Sequence, residues 1–212
     1  MENKKGILVV LSGFSGSGKG TIMKKLLAQY PEQYGLSISA TTRAPRVGEA
    51  EGREYFFKTK EEFLKMIQQD ELIEYAQYVG NYYGTPKSYV NKCLEEGTDV
   101  ILEIETQGAL QIKKRFPDTL LLFVTPPSAE LLKERLSLRG TEETATILSR
   151  LSQAYKEADY MKDYDYLVIN DNLEVCVEQV HTMIDNEHYK TNRNIAVITA
   201  MKEQLKAFSK GE

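Results

Sequence analysis

The chain has 212 residues, 27% of them charged and 42% hydrophobic, and its 27 basic and 31 acidic side chains give a net charge of −4. This composition excludes a disordered or collagen-like chain, and the small negative charge argues against general binding of nucleic acid. The longest apolar runs, Ile7–Leu11 and Leu120–Val124, are too short for a membrane span or a signal peptide. Two cysteines, Cys93 and Cys176, cannot build a disulfide scaffold or a zinc site. We therefore expect a soluble, cytoplasmic protein.

The first apolar run predicts a strand that is buried on both faces and ends at Gly13. Behind a glycine-rich loop, apolar residues recur at helical spacing from Ile22 to Leu27, and Pro31 ends this helix. Further apolar runs, separated by helical patterns, lie at 100–104, 120–124 and 166–169. Strands that alternate with helices indicate an α/β fold with a parallel sheet.

The loop between the first strand and helix has the spacing of a phosphate-binding loop, because Gly13 and Gly18 enclose four residues and Lys19 follows directly. Such glycines let backbone N–H groups converge on phosphate oxygens, while the helix N-terminus and the lysine favour negative charge. A glycine-rich turn with an incidental lysine is the alternative, and a dinucleotide loop fits less well because Thr21 stands where a third glycine is needed. The candidate ATP-binding residues of this loop are Gly13, Phe14, Ser15, Gly16, Ser17, Gly18, Lys19, Gly20 and Thr21.

The residue after the lysine departs from the usual pattern. Gly20 stands where a serine or threonine hydroxyl normally binds magnesium. The backbone cradle does not depend on that hydroxyl. We therefore expect Mg²⁺ to be held by nucleotide phosphates and water, which this ion tolerates, with Thr21 and Glu103 as the candidate protein ligands.

Residues 36–85 interrupt the α/β pattern, since they are rich in Tyr, Thr, Gly and Arg and contain short alternating stretches such as Leu36–Ser39. We expect a small, partly antiparallel lobe inserted into the core. Arg43 and Arg46 lie around a proline turn, and together with the hydroxyl of Tyr55 they suit a phosphate dianion.

A second interruption, from Arg135 to Arg150, carries many charges and no strand pattern, and it predicts a mobile lid of two short helices. Arg135 and Arg139 are four residues apart and share a helix face, and a solvated charged face is an alternative that this spacing does not exclude. Residues 190–212 hold five basic and two acidic residues and an apolar helical stripe. We expect a helix that docks on the core or on a second subunit, so that a homo-oligomer can form through this extension.

Three side chains are interpreted from their local pattern alone. Glu74 lies in an otherwise apolar strand-like run, where the pattern favours a solvated strand face. His181 and His188 lie in a late helical region and are expected at the surface, which leaves no candidate for a catalytic histidine.

From about Gly6 to about Glu187, the chain resembles the guanylate kinases, a family of nucleoside monophosphate kinases. The resemblance depends on separated motifs in the right order, which lie at 13–21, 39–49, 74–77, 80–84, 103–108, 126–128, 139–142 and 170–171. It implies a P-loop kinase core with a parallel sheet, an inserted GMP-binding lobe of mixed or antiparallel strands, and a helical lid. The implied division is a domain over 1–189, with core segments 5–35, 86–128 and 156–189, the lobe at 36–85 and the lid at 129–155, followed by a helical extension at 190–212.

The resemblance also implies two groups of GMP-binding residues. Those that would hold the phosphate are Arg43, Arg46, Tyr55 and Tyr83. Those that would read the guanine are Ser39, Glu74, Thr85 and Glu105. A carboxylate suits guanine because the N1–H and N2–H₂ groups are paired donors. Thr85 and Glu105 stand where serine and aspartate are common in the family, and each keeps its donor or acceptor, so we expect altered affinity and retained specificity.

A phosphate oxygen of GMP is already anionic near neutral pH, so the implied reaction needs alignment and positive charge and no strong general base. The candidate catalytic residues are Lys19, Arg43, Arg135, Arg139 and Arg150. By resemblance, Arg135 and Arg139 are lid arginines that close over the triphosphate. Glu103 either orders magnesium-bound water or orients nearby arginines, and Asn170 and Asp171 either contact the adenine or form a turn.

The expected activity is phosphorylation of GMP, and of dGMP, by ATP with magnesium. One alternative is a catalytically silent protein-binding module of the same fold, in which the phosphate loop is typically incomplete, whereas Lys19 and its glycines are intact here. Another is a P-loop kinase of a sugar phosphate, which would have no use for guanine-reading residues such as Glu74. The expected partners are ATP and GMP, with no nucleic acid and no membrane.

Overall fold

The computed structural model describes residues 5–78, 80–138 and 144–209. Its strands are β1 (Leu8–Gly13), β2 (Tyr34–Leu36), β3 (Ser39–Thr41), β4 (Tyr55–Phe57), β5 (Leu72–Tyr78), β6 (Asn81–Pro86), β7 (Asp99–Glu103), β8 (Leu120–Thr125) and β9 (Tyr166–Ile169). Its α-helices are α1 (Lys19–Gln29), α2 (Lys60–Gln68), α3 (Lys87–Glu95), α4 (Thr106–Arg115), α5 (Ala129–Ser137), α6 (Thr144–Ala158), α7 (Leu173–Glu187) and α8 (Ile195–Ser209).

The core is a five-stranded sheet with the order β2-β7-β1-β8-β9, in which every neighbouring pair is parallel. Alternate residues of β1 supply the two faces. Val9 and Leu11 pack toward α1 and α7, whereas Leu8 and Val10 pack toward α3 and α4. Helices therefore cover both faces, which is why the central strands are continuous apolar runs. The predicted α/β fold with a parallel sheet is confirmed.

The carboxyl ends of the parallel strands meet at one edge of this sheet. In the register of the sheet, Leu11 of β1 lies beside Glu103 of β7, and Gly13 lies beside Val124 of β8. Asn170 follows β9 at the same edge, where its backbone N–H donates to the carbonyl of Thr125. Ligands of open α/β sheets bind outside this edge, so the fold collects there the segments in which the sequence predicts site residues.

The inserted lobe is a second, mixed sheet with the order β4-β3-β6-β5. β3 and β4 are parallel, and the other two pairs are antiparallel, in agreement with the predicted mixed lobe. Its small core consists of Ala40, Phe63 and Leu72 with partly buried neighbours. Leu36 was expected in this lobe, but it pairs with Ile101 in the core sheet. The stretch 36–39 is therefore divided between the two sheets, since Ser39 begins β3 of the lobe.

Helix α2, which covers one face of the lobe, was not expected. A capping box begins it: the Thr59 hydroxyl accepts a hydrogen bond from the Glu62 N–H at 3.1 Å, and the Glu62 carboxylate accepts one from the Thr59 N–H at 2.7 Å. Phe63 follows directly and is fully buried. A threonine with a glutamate three positions later, in front of an apolar residue, is the local signal that predicts this helix.

Two helices lie in the segment that was expected to form the lid. Leu132 and Leu136 of α5 pack against Phe14 and Phe123 of the core. Helix α6 is 15 residues long and so is not the short helix that was expected. Its apolar face joins the same cluster, which includes the buried Ala154.

Both histidines have partners in the fold, so their expected surface role is wrong. The His181 ring stacks on Tyr30 with 3.9 Å between ring centroids, and its Nδ1 lies 2.6 Å from the Tyr34 hydroxyl oxygen. His188 Nε2 lies 3.0 Å from a carboxylate oxygen of Asp99, which is 1% exposed. The two rings link α7 to the amino ends of β2 and β7, whereas the phosphate loop follows the carboxyl end of β1.

The C-terminal helix α8 presents an apolar stripe to solvent. The stripe consists of Ile198, Met201, Leu205 and Phe208, which are 44–83% exposed. Just before the helix, the Arg193 guanidinium donates to the carbonyl of Asp118. None of the helices in the described part of the chain is both long and apolar enough to cross a membrane.

Candidate active site

A cavity of about 1020 Å³ opens between the core sheet, the lobe and helix α6. It brings together residues of the phosphate loop, the lobe, the β7–α4 segment and α6. Its polar lining includes Ser15, Lys19, Ser39, Tyr55, Glu74, Tyr83, Glu103, Glu105, Gln107, Gln111, Arg150, Gln153 and Glu157. Residues that the sequence analysis assigned to ATP and to GMP therefore share one cavity.

The phosphate loop turns on glycines with left-handed backbone. Gly16 has a φ of +86° and Gly18 a φ of +94°, conformations that favour glycine. Lys19 then folds back over the loop, and its ammonium donates to the carbonyls of Gly13 at 2.7 Å and Phe14 at 3.1 Å. The lysine charge thus lies against the loop at the start of α1, which is the place where the dipole of the helix also favours an anion.

The loop residues differ in what they expose. Ser15 is exposed, whereas Phe14 is buried and packs edge-on against Phe123 with 5.0 Å between ring centroids. The side chain of Ser17 is fully buried, and its hydroxyl has no hydrogen-bond partner among the described residues. The backbone of Ser17 is engaged as well, since its N–H donates to the Phe14 carbonyl at 3.0 Å and its carbonyl accepts from the Asn170 amide.

Glu103 occupies the space beside Gly20. A Cβ atom at position 20 would stand 3.7 Å from the Glu103 carboxylate. Partial loss of hydration raises the pKa of Glu103, and the nearby Lys19 ammonium opposes that shift. An oxygen donor next to the phosphate loop suits magnesium, and Thr21, the residue after Gly20, is exposed in the first turn of α1. The residues present are compatible with the ion.

In the lobe, an acidic residue that the sequence analysis gave no role holds the arginine of the predicted phosphate site. Glu49 accepts two hydrogen bonds from Arg43 Nη2, at 2.8 and 3.0 Å, and a third from the Arg46 N–H at 2.7 Å. These donors lower the pKa of Glu49. The Arg43 guanidinium lies 5.3 Å from the centre of the Tyr55 ring, which in turn packs against Tyr83. Both rings and the arginine are thus held together, while Arg46 is exposed.

Glu74 is not on a solvated strand face, so the interpretation from pattern alone is wrong. The side chain is partly buried and lines the cavity, and the hydroxyl of Thr85 donates to its carboxylate at 2.7 Å. Burial raises the pKa of Glu74, and the hydrogen bonds from Thr85 oppose that shift. Thr85 is 1% exposed and does not line the cavity, so it acts on the carboxylate from behind.

Glu105 lies at the N-terminus of α4 and is exposed within the same cavity. Ser39 lines the cavity from β3 of the lobe. The cavity thus joins Ser39 and Glu74 from the lobe with Glu105 from the core. A base placed there would meet one hydroxyl and two carboxylates.

Helix α6 contributes one predicted residue and two that sequence reasoning missed. Arg150 Nη1 donates to the Ser15 hydroxyl at 2.8 Å, which links this helix to the phosphate loop. Gln153 and Glu157 continue the same helix face, and the Gln153 amide donates to Glu157 at 3.1 Å. Glu157 is 7% exposed, and burial raises its pKa. Gln153 and Glu157 follow Arg150 by three and seven residues, which places all three on one face of a helix. This spacing is the sequence signal that could have predicted them.

Arg135 and Asn170 lie behind the loop, outside the lining of the cavity. Arg135 Nη2 donates to the Asn170 carbonyl at 2.9 Å, and Asn170 Nδ2 donates to the Ser17 carbonyl at 2.8 Å. Asp171 is exposed in the turn that follows. Arg139, the second predicted lid arginine, lies outside the described residues.

The chain is similar to known proteins over most of its length. A family model described as guanylate kinase matches residues 5–187. The crystal structure of guanylate kinase from Anaplasma phagocytophilum superposes with a TM-score of 0.68 at 32% identity, with 90% of each chain covered. Two more distant similarities are to the SH3-kinase fragment of tight junction protein 3, with a TM-score of 0.48 at 12% identity over 88% of this chain and 59% of that chain, and to an uncharacterized protein from Eubacterium ventriosum, with a TM-score of 0.45 at 15% identity over 84% and 98%.

Proposed function

We propose that this chain, which belongs to the guanylate kinase family, transfers the γ-phosphoryl group of ATP to the phosphate of GMP or dGMP. The products are ADP and GDP or dGDP, a step of purine nucleotide metabolism that we assign to the cytoplasm. The observation that carries the proposal is the single cavity in which Lys19 of the phosphate loop and Glu74 of the lobe both lie. A kinase needs its donor and acceptor sites to face each other in this way.

The acceptor base is read by carboxylates. Glu74 accepts hydrogen bonds from guanine N1–H and N2–H₂, and Thr85 holds that carboxylate through its own hydrogen bond at 2.7 Å. Ser39 and Glu105 complete the base site from the lobe and the core. Adenine presents a lone pair at N1 and lacks the N2 amine, so a buried Glu74 would lose both partners with AMP.

The acceptor phosphate lies among Arg43, Tyr55 and Tyr83, with Arg46 at the exposed side. Glu49 fixes the Arg43 guanidinium through two hydrogen bonds, so the arginine is oriented before the phosphate arrives. The phosphate oxygen is the nucleophile and is already ionised, so that no group has to remove a proton from it. What remains for the protein is alignment of the two phosphates.

Positive charge at the transferring group comes from Lys19 and Arg150, with Arg139 added by the family resemblance. Lys19 lies against the loop carbonyls and Arg150 reaches Ser15, so both start near the triphosphate. Arg135 supports the loop from behind. Such fixed charges stabilise the transition state without reorganising at the moment of transfer.

Magnesium, when bound, neutralises the β- and γ-phosphates. Glu103 and Thr21 are the residues that would hold its water ligands. Glu103 is next to the phosphate loop, since a Cβ atom at position 20 would stand in van der Waals contact with its carboxylate. The remaining ligands would be phosphate oxygens and water, which magnesium accepts.

A coupled assay of ADP release with GMP, dGMP, AMP, CMP and UMP as acceptors tests the proposal. We expect turnover with GMP and dGMP only, and we expect Lys19→Ala to lower it at least about 100-fold while the circular dichroism spectrum stays unchanged. Binding of GMP without turnover would indicate the silent module. Turnover with a sugar phosphate and none with GMP would indicate the other alternative.

Self-association through residues 190–212 is the second part of the proposal, with a second copy of this chain as the occupant of the α8 stripe. Ile198, Met201, Leu205 and Phe208 are spaced three, four and three residues apart, the seam spacing of paired helices. Sedimentation of the full chain should show a dimer, and Leu205→Glu should give a monomer. If the full chain is still a monomer at about 100 μM, a concentration above the dissociation constant of a stable dimer, this part of the proposal is wrong.

A further inference from the structure

Strand β5 of the lobe contains a β-bulge, a place where one strand has an extra residue. The pairing of β5 with β6 shifts by one residue between Leu72 and Tyr75. Ile73 and Glu74 therefore both lie opposite Thr85, so that β5 has two residues where β6 has one. Bulges of this kind redirect side chains and are frequent beside active sites. The bulge in β5 thus includes the residue to which we assign the guanine base.

The bulge determines the face of the sheet on which Glu74 lies. Leu72 packs with Phe63 of α2 in the core of the lobe. In a regular strand, residues two positions apart share a face, so Glu74 would lie on the face of Leu72, toward α2. The extra residue places it opposite Thr85 instead, whose hydroxyl donates to its carboxylate at 2.7 Å. Glu74 reaches the cavity because β5 departs from regular alternation.

The carbonyl groups of the bulge are held by a residue of the core. Arg115, at the end of α4, donates from Nη1 to the Ile73 carbonyl at 3.0 Å and to the Leu72 carbonyl at 3.4 Å. A bulge disrupts the ladder of hydrogen bonds between its strands, so a donor from outside the sheet stabilises it. The Ile73 side chain is itself buried in a cluster of the core sheet. The bulge is therefore a place where the lobe is joined to the core.

The Arg115 guanidinium is oriented by a carboxylate of the lobe. Asp70, just before β5, accepts from Arg115 Nη2 at 2.5 Å and also from the Lys87 ammonium. Asp70 has a φ of +53°, a left-handed conformation that aspartate adopts more readily than most residues. Because this ion pair is largely exposed, it adds little to stability. Its effect is on geometry, since one nitrogen of the guanidinium is fixed while the other reaches the strand.

We propose that Arg115 is a positioning residue for the base site: by holding the bulge of β5 from the core, it keeps Glu74 on the cavity face. Arg115 acts through the backbone, since it does not line the cavity. The consequence for GMP depends on the proposed function, whereas the hold of Arg115 on Glu74 does not. Loss of Arg115 should therefore change what Glu74 does, and the effect should vanish when Glu74 is absent.

The first test is a double-mutant cycle. Arg115→Ala should lower kcat/KM for GMP about 10-fold, because charge-assisted hydrogen bonds to the bulge are lost, and leave the KM for ATP within about twofold. Introduced into Glu74→Ala, the same change should lower the efficiency by less than about twofold. Lys114→Ala is the matched control, since it removes an exposed basic side chain of the same helix and should leave kcat/KM for GMP unchanged. A loss of about 10-fold in the Glu74→Ala background as well would overturn the proposal, because Arg115 would then support the lobe in general.

A second measurement needs no nucleotide. A crystal structure of Arg115→Ala should show the Glu74 carboxylate out of hydrogen-bond distance of the Thr85 hydroxyl, a contact of 2.7 Å in the unaltered chain. An unchanged bulge with this contact intact would also overturn the proposal. If Arg115→Ala does not fold, Asp70→Asn takes its place, because asparagine also accepts a left-handed backbone and lacks the charge that orients Arg115. Absence of GMP turnover in the unaltered chain, together with loss of the contact in Arg115→Ala, would reject the proposed function alone.

Discussion

Glu74 shows how strongly one side chain depends on its surroundings. The same carboxylate that a strand pattern assigns to solvent lies partly buried in the cavity, with Thr85 as its hydrogen-bond donor. Partial burial is costly for a charge that has too few partners. A ligand with two donors at the right spacing removes that cost, and guanine has them.

Replacing Glu74 by alanine should lower kcat/KM for GMP by about 100- to 1,000-fold. Two charge-assisted hydrogen bonds would be lost, together about 3–4 kcal/mol. The KM for ATP should change little because the phosphate loop is untouched. With the unaltered chain, AMP should be about 10⁴–10⁵-fold poorer than GMP. Steady-state kinetics check both values, and a GMP efficiency of Glu74→Ala within about threefold of normal, under 1 kcal/mol, would contradict this role.

The pH dependence should carry the signature of the same carboxylate. Burial raises the pKa of Glu74, so it takes up a proton at a higher pH than an exposed glutamate, and its protonated form accepts guanine donors poorly. We expect kcat/KM for GMP to fall as the pH is lowered. Glu74→Gln has no carboxyl group at this position, but its pH profile still contains the ionisation of the GMP phosphate. Dividing the profile of the unaltered chain by that of Glu74→Gln therefore leaves the contribution of Glu74. A ratio that does not change as the pH is lowered from about 8 would speak against the assignment.

Among the elements, the lobe is distinctive because it has its own small core. Phe63 of α2 is fully buried, clusters with Ala40 and Leu72, and stacks on Tyr82 with 5.4 Å between ring centroids. The main clusters of the core sheet contain none of these four residues. Damage to this core should therefore be felt first in the GMP site.

Phe63→Ala should lower the free energy of unfolding by about 3–5 kcal/mol, the usual cost of removing a buried phenyl ring. It should also raise the KM for GMP more than the KM for ATP. Leu64→Ala is the matched control. Leu64 is the next residue of α2 and is 38% exposed, so its replacement should lower the free energy of unfolding by well under about 2 kcal/mol. Denaturant titration and kinetics provide the two measurements. Equal increases in both KM values would show that the lobe is not an independent unit.

At the scale of the whole molecule, the cavity lies between the lobe and helix α6, which contribute to different hydrophobic clusters. The lobe has its own cluster, and α5 and α6 share another with Phe14 and Phe123. Phosphoryl transfer requires that water be kept from the donor phosphate. These observations favour movement of the lobe and α6 toward each other when both nucleotides bind.

Closure should reduce the radius of gyration in small-angle scattering. We expect the decrease with GMP plus a non-hydrolysable ATP analogue, and a smaller change with either ligand alone. AMP in place of GMP is the control, because it should not fill the base site. The same radius of gyration with and without both saturating ligands would count against closure.

Local patterns were sufficient for much of the fold. The buried strands, the phosphate loop and the mixed lobe were predictable, because the period of apolar residues and the φ of glycine are properties of neighbouring residues. Helix α2 was missed although its capping box is local. The histidines were misjudged for another reason: the partners of His181 and His188, Tyr34 and Asp99, are about 90 to 150 positions away.

The sequence by itself determined where phosphate can bind, since a glycine-rich loop between a strand and a helix makes its cradle from consecutive backbone groups. Through the family motifs it also predicted lobe residues that line the cavity, such as Glu74 and Tyr83. Only the tertiary structure decided that Glu74 is partly buried in the cavity, that Glu157 joins this cavity, and that the Asn170 amide donates to the Ser17 carbonyl. Burial and hydrogen-bond partners depend on segments that are distant in the chain and meet only when the sheet, the lobe and α6 pack together.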